Sequence, residues 1–525
     1  MVKELIFYIL DIPETKNKET ITSAYRTNLK KHNPEDDPEG FKRLRQAYEA
    51  ALDFANQTDE DLEEANRFPM AYQTPQHKKH NKNDNPEEVA MDLWMSRIIK
   101  VYEDLTLRRD EEEWKSILND PICQDLDTSL EAQNRIMNFF TDAFHLPHNI
   151  WALVDQTFQI KKNQETLKEY YPPKFLNYIC YYIENEDFLP FALFEYTNEN
   201  EKNTNSDSYI ELLLSLHKQA DARLLDHCRE TLENIKAYGI YHPFEDVGRL
   251  RLYIYEESPE KIPDLLDSLY PRYKDYDYIS LYVGEGRWLL GDIEGAYEIW
   301  SHILENDPNF YAAKYNKLRY LCEKKDFYHA KLLATELIEI SETDNRVMDM
   351  LTPINEALIT EYRDLLENDK EHPHLSKREL TFDFIWCLFQ NKHIEEASKY
   401  ISELQPCDEQ DYDYFNLCGK FYVYQEEYEK ALPLITRWME IIESLKDDGT
   451  KETKKRMSRL GSSYYYLGNC YCETGKIEEG FAFFEKALGT ITKHVELLHC
   501  YHSYASVLLD IKEYEKVVDL CDKML

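Results

Sequence analysis

An all-α fold is the architecture this sequence predicts, and three observations predict it. Glycine occurs 14 times in 525 residues, about 2.7% against a usual ~7%, too few for an architecture built on many tight turns. Apolar residues recur at three- and four-residue steps along most of the chain, the spacing that gathers them on one face of a helix. In the second half a short phrase ending in a small residue returns after 34 positions, from Ala296 to Ala330 and from Ala397 to Ala431, a period of stacked helix-turn-helix units.

Length alone predicts about three or four domain-sized units, and the pattern divides the chain into residues 1–55, 56–86, 87–270 and 271–525. In the first segment Phe7-Tyr8-Ile9-Leu10 makes a short apolar helical turn that breaks at Asp11-Ile12-Pro13. From Thr20 to Lys31 the pattern is amphipathic, with Ile21, Ala24, Tyr25 and Leu29 on one face and Arg26, Lys30 and Lys31 on the other. A polar loop with two prolines follows, and a second helix carries Phe41, Leu44, Ala47, Tyr48 and Leu52 at helical spacing. Two facing apolar stripes joined by a loop form a helical hairpin.

This segment resembles a J-domain, the module by which DnaJ-type co-chaperones engage DnaK-type chaperones. The residues that carry the resemblance are Tyr8-Ile9-Leu10-Asp11-Ile12, Ile21 with Ala24-Tyr25, the basic helix face, and Phe41-Lys42-Arg43-Leu44-Arg45-Gln46-Ala47-Tyr48. Where the family has His-Pro-Asp, this chain has Asn33-Pro34-Glu35, with His32 one residue earlier. Glu35 keeps a carboxylate one methylene further out, and Asn33 exchanges an imidazole for a neutral amide. The resemblance implies that Arg26, Lys30, Lys31, Asn33, Pro34 and Glu35 face a chaperone. Two readings stand: a J-like module matched to a divergent DnaK-type chaperone, or one kept as structure or docking surface.

Residues 56–86 lose helical periodicity and become rich in Asn, Gln, His and Lys, as a flexible linker does; His77 and His80 lie in that tract without a third ligand. From 87 to 270 the pattern is helical but weakly repetitive. Leu93, Trp94, Ile98, Val101, Tyr102 and Leu105 mark one helix, Trp114, Ile117 and Leu118 the next, and Asp142 to Asp155 carries apolar residues around Pro147. Residues 198–208 read as a polar loop.

The array from 271 to 525 repeats most clearly in Tyr464-Tyr465-Tyr466-Leu467-Gly468 followed by Gly475-Lys476-Ile477-Glu478-Glu479-Gly480. These units resemble tetratricopeptide repeats, which implies a superhelix that binds extended polypeptide on its concave face. Small residues mark where helices must come close: Gly284, Gly419 and Gly468 in the first helices, and Ala296, Ala330, Ala397, Ala431 and Gly480 in the second. The period breaks near 344–378 and 447–456, which are expected to be insertions. The predicted architecture is therefore a small helical J-like domain, a linker, and a helical-repeat superhelix.

Charge sharpens the expected partners. Aspartate and glutamate number 100 and lysine and arginine 62, a net of −38. Residues 1–55 hold nine basic and ten acidic side chains, so nearly all of the excess lies in the body. An acidic surface repels nucleic acid and anionic membranes and favours basic or aromatic polypeptide segments, with tyrosine rings offering cation–π contacts. The 11 cysteines are scattered, so they read as reduced thiols, mostly in cores. The start of the chain does not read as a signal peptide, and no apolar run reaches the ~18 residues of a membrane span; the expected location is the cytoplasm.

Motifs of catalysis are weak. Gly284-Glu285-Gly286 lacks the strand and third glycine of a dinucleotide loop, and Gly475-Lys476 is a repeat turn. Cys470, Cys472, His499, Cys500 and His502 fall at different levels of two helices, so no metal is expected, nor any cofactor. Asn469 would suit an anion clamp, but Tyr465 stands where that clamp wants a lysine. The expected function is a co-chaperone-like adaptor, not an enzyme, with a pure interaction scaffold as the alternative.

Overall fold

The computed structural model describes Thr15, Ala24 and residues 86–125, 128–197 and 205–524. The chain separates into two compact units, Met1–Asp92 and Leu93–Leu525. Arg26, Lys30, Lys31, Asn33, Pro34 and Glu35 lie outside the described residues, as do His77 and His80. The described residues form an all-α helical-repeat protein; the one sheet among them is a two-residue antiparallel pairing of Glu195–Tyr196 with Ile240–Tyr241. Strands this short carry no alternating pattern, so the sequence offers no sign of them.

Helix Pro86–Glu103 stops where Asp104 turns extended and its carboxylate accepts from Thr106 N at 2.8 Å, opening the short turn Leu105–Arg108. Trp94, Ile98, Val101, Tyr102 and Leu105 are buried, whereas Leu93, expected among them, is 63% exposed. Adjacent residues sit about 100° apart on a helix, and Trp94 heads the i, i+4, i+7 row that points inward. Helix Glu111–Leu118 is capped by Asp110 and buries Trp114, Ile117 and Leu118. Each tryptophan also donates its N–H to a carbonyl: Trp94 to Ile117 O at 3.0 Å, Trp114 to Arg108 O at 2.9 Å. The expected helical pattern over 142–155 is corrected at its start. The helix is His148–Phe158, with Pro147 as its non-helical N-cap, and it does not extend further back because a proline disfavours helical backbone in the residue before it.

A buried arginine joins these helices to the following ones. Arg108 donates to Asp207 Oδ1 at 2.7 Å and Ser206 Oγ at 2.8 Å, its guanidinium lies 3.8 Å from the Tyr102 ring centre, and Tyr102 OH donates to Asp207 Oδ2 at 3.0 Å. Helix Ser206–Asp221 is thereby tied to residues 102–108. Further along, Arg251 repeats the device, over the Tyr282 ring and 2.5 Å from Asp221 Oδ1.

From Asp277 onward the helices pair into hairpins. Asp277–Leu289 pairs with Ile293–Asn306, Tyr311–Glu323 with Phe327–Ile340, and Lys377–Gln390 with Ile394–Glu403. Tyr412–Tyr424 pairs with Tyr428–Ser444, Leu460–Glu473 with Ile477–Leu488, and His494–Asp510 with Tyr514–Met524. Each hairpin turns on one left-handed residue: Gly291, Lys325, Lys392, Glu426, Gly475 or Lys512, with φ between 59° and 83°. That conformation lets two N–H groups return to the last helical carbonyls, as Gly475 N does to Cys472 O at 3.0 Å and Lys476 N to Tyr471 O at 2.8 Å.

The small residues lie at the closest helix approaches. A Cβ on Gly284 would fall 2.3 Å from Trp300 Nε1, on Gly419 2.4 Å from Ile435 Cδ1, and on Gly468 2.9 Å from Phe484 Cδ1. Ala296, Ala330, Ala397 and Ala431 are fully buried. The segment expected as an insertion over 344–378 holds the helix Asn345–Glu367, which buries Val347, Ile354, Leu358, Ile359 and Tyr362. The second, over 447–456, holds a turn at Gly449 and the short helix Lys451–Met457. Among the described residues no helix is long and apolar enough to cross a membrane.

Two substitutions test this account of the hairpins. A Cβ on Gly480 would meet Cys472 Sγ at 2.3 Å and the backbone of Cys472 and Gly468 at 3.0 Å. Gly480→Ala should therefore cost about 1–3 kcal/mol of unfolding free energy, because overpacking exceeds the ~1 kcal/mol alanine gains in a helix. Glu426→Gly should raise stability by roughly 0.5–1 kcal/mol by relieving a left-handed non-glycine residue. Urea unfolding followed by circular dichroism measures both.

Candidate interaction groove

A cavity of about 800 Å³ opens between helices Phe327–Ile340 and Lys377–Gln390, the start of Tyr412–Tyr424, and Lys451–Met457. Its apolar surface comes from Tyr328, Leu332, Leu375, Phe382 and Trp386. Carboxylates outnumber cations seven to four among the residues lining it, so the acidic excess of the body reaches this wall.

Beneath one wall lies a buried polar knot. Lys331 Nζ donates to Asp383 Oδ1 at 2.5 Å and to Cys387 Sγ at 3.1 Å, and Tyr362 OH donates to Asp383 Oδ2 at 2.9 Å. Burial works against the Lys331 ammonium, but Asp383 and Cys387 outweigh it and hold its pKa above the usual lysine value. Burial pushes the Cys387 thiol up to about 11, so it is a neutral donor-acceptor, not a nucleophile, at neutral pH. With its ammonium and carboxylate satisfied, the knot fixes the register of helix Phe327–Ile340 on Lys377–Gln390 and offers no free reactive group.

Lys420 is the opposite case. Its ammonium lies 4.7 Å from the Trp438 ring centre, 5.4 Å from Tyr466 and 5.9 Å from Trp386. Among the described residues it forms no ion pair with a carboxylate. Burial, with Arg459 adding like-charge repulsion, lowers its pKa to about 8. Three aromatic faces and the more distant Glu496 carboxylate offset part of that cost. Neither Lys331 nor Lys420 was marked by the sequence pattern. The repeat period places both on helix faces, but their surroundings come from helices distant in the chain.

The other residues singled out from sequence fall into packing roles. Asn469 Nδ2 donates to Tyr465 O at 3.1 Å, within its own helix. Cys470 and Cys500 are buried, and burial pushes both thiols up to about 12. Among the described residues no group of His, Cys, Asp or Glu is arranged to hold a metal ion. Tyr362, Tyr412, Tyr464 and Tyr504 are buried in seams between helices, while Tyr328 lines the cavity and Tyr424 stands 53% exposed.

Lys420→Met should stabilise the protein at pH 7 by about 1–3 kcal/mol, since the partly desolvated charge is carried at a cost. An unfolded lysine keeps its proton to about 10.5 and the folded one releases it near 8. The parent therefore gains stability as pH rises between those values, and the advantage of the variant shrinks over that window. Denaturant midpoints of both proteins at pH 7, 8.5 and 10 measure the difference.

Residues 92–186 match the family model of the DjlB/C second domain, from a DnaJ-like family. No curated protein sequence is significantly similar to the chain. Among solved structures the chain is similar to YrrB, a TPR protein with an unusual peptide-binding site, at 14% identity over 45% of this chain and 96% of that one, with a TM-score of 0.20. It is similar to the APC/C hetero-tetramer Cut9-Hcn1 at 15% identity over 60% of this chain and 65% of that one, with a TM-score of 0.23. It is also similar to a thermophilic TPR protein of Thermus thermophilus at 16% identity over 44% of this chain and 99% of that one, with a TM-score of 0.17. At such scores the helical-repeat fold rests on the hairpins themselves.

Proposed function

We propose that this chain is a cytoplasmic co-chaperone-like adaptor and not an enzyme. Its J-like head, residues 1–55, recruits a DnaK-type chaperone through Arg26, Lys30, Lys31 and the Asn33-Pro34-Glu35 loop. Residues 56–86 tether that head to the helical body, and the array from 271 to 525 holds a partner or client polypeptide. The observation that carries the reading is the match of residues 92–186 to a second domain of a DnaJ-like family, downstream of a segment that resembles a J-domain and of the linker that follows it. The groove supports the second half. Its apolar floor and its excess of carboxylates suit a polypeptide with basic and apolar side chains.

An interaction scaffold without chaperone recruitment is the second reading, favoured by the departure from His-Pro-Asp at Asn33 and Glu35. Single-turnover ATP hydrolysis by a DnaK-type chaperone of the same cytosol separates the two. Under the adaptor reading the full chain accelerates hydrolysis by at least about tenfold, and Lys30→Ala/Lys31→Ala removes most of that gain. If neither the parent nor an Asn33→His/Glu35→Asp variant changes the rate, the scaffold reading replaces it.

A further inference from the structure

Residues 451–459 run Lys-Glu-Thr-Lys-Lys-Arg-Met-Ser-Arg, five cations and one carboxylate. Their helix, Lys451–Met457, has no buried residue, yet it forms one side of the groove. Lys455 Nζ lies 3.2 Å from Glu339 Oε1, Arg459 Nη2 lies 3.6 Å from the same oxygen, and Arg456 Nη2 lies 3.6 Å from Asp413 Oδ2. Arg456 also sits 4.7 Å from the Tyr412 ring centre. Glu339 belongs to Phe327–Ile340, more than a hundred positions back in the chain, so this basic segment straps the groove from one hairpin to another.

The strap is held by these ion pairs and the Arg456–Tyr412 contact, with no buried side chain of its own. Glu339 Oε1 is shielded from solvent and closes no hydrogen bond of good geometry, although two cations stand near it. It is a desolvated acceptor with its directional valence unused. Apart from the strap's own residues, six carboxylates and two cations line the cavity, and those cations, Lys331 and Arg378, already pair with Asp383 and Asp411. Ion pairs at such distances between partly exposed side chains exchange readily with other cations. The floor beside them, with Leu332, Phe382 and Trp386, remains open.

We infer that the groove is a docking site for a lysine- and arginine-rich segment of a partner polypeptide, and that residues 451–459 engage its Glu339 and Asp413 carboxylates in the free chain as an internal competitor. The inference rests on the partner-binding reading of the array and specifies its chemistry. An incoming ammonium or guanidinium donates to Glu339 Oε1, its apolar neighbours cover Phe382 and Trp386, and the strap swings out on the turn at Gly449. The strap then sets a threshold: a partner binds only as tightly as it outcompetes a neighbour tethered at high local concentration.

The test uses the full chain and a fluorescein-labelled peptide with the sequence of residues 451–459, read by fluorescence anisotropy, with a control peptide in which every Lys and Arg is Gln. Lys451→Gln/Lys455→Gln/Arg456→Gln should bind the basic peptide about tenfold more tightly than the parent, because the competitor is removed. In that background Glu339→Gln should weaken binding about threefold and Glu339→Lys should abolish it. Thermal melts check that each variant is folded. Equal affinity of parent and neutralised strap, with binding lost on Glu339→Lys, overturns the competitor while leaving a groove for basic segments. Absence of binding by both proteins, or equal binding of the control peptide, overturns the inference and the basic-partner reading together.

Discussion

The close approach of two helices inside each hairpin is the constraint on which the rest of the array depends. In three hairpins a glycine of the first helix receives a large side chain sixteen positions later: Gly284 takes Trp300, Gly419 takes Ile435, and Gly468 takes Phe484. All three large residues are fully buried. Removing a Cβ on one side and filling the gap on the other brings the helix axes near enough for both apolar faces to close without voids. Twelve positions after the glycine a second small residue, Ala296, Ala431 or Gly480, is buried, and at Gly480 it lies against the backbone of Gly468 and Cys472 in the first helix of its own hairpin. A repeat built this way cannot bury its apolar face alone, so each hairpin is stable through its neighbours.

Turn geometry follows from the same constraint. The axes can lie close only if the chain reverses in two or three residues, and a single left-handed residue achieves that while satisfying the carbonyls it leaves behind. Two turns use glycine; Lys325, Lys392, Glu426 and Lys512 adopt the same φ with a side chain attached. Asp292 and Asp326 then cap the second helices, accepting from Gly295 N at 3.1 Å and His329 N at 3.3 Å. One short segment thus ends a helix and begins the next.

This division explains what was legible beforehand. The fold class could be read because the contacts that define it are local, and a local contact leaves a period: Ala296 and Ala330 are the same structural position seen twice. The groove could not. Lys331 meets Asp383 across 52 positions, Glu339 meets Lys455 across more than a hundred, and Lys420 is enclosed by rings from three different helices. No spacing rule connects such residues, and in sequence each looks like one more charge on a helical face. Leu93 failed for a milder reason: its hydrophobicity matched the pattern, but Trp94 beside it took the inward direction. The net charge was informative in sum and silent in detail, since most groove carboxylates are already engaged by neighbours of opposite sign.

The fixed sixteen-residue offset has a consequence for how such a chain can change its length. Within a hairpin, one added or lost residue would rotate the second helix by about 100° and withdraw the large side chain from its glycine, so that register is frozen. Between hairpins the spacing is free. Asn345–Glu367 adds a whole helix at one such junction, and the loop and short helix over 446–459 lengthen another, yet the flanking pairs keep their internal geometry. Growth by indels is therefore confined to the junctions, and the short helix that borders the groove on its irregular side lies where the architecture tolerates novelty.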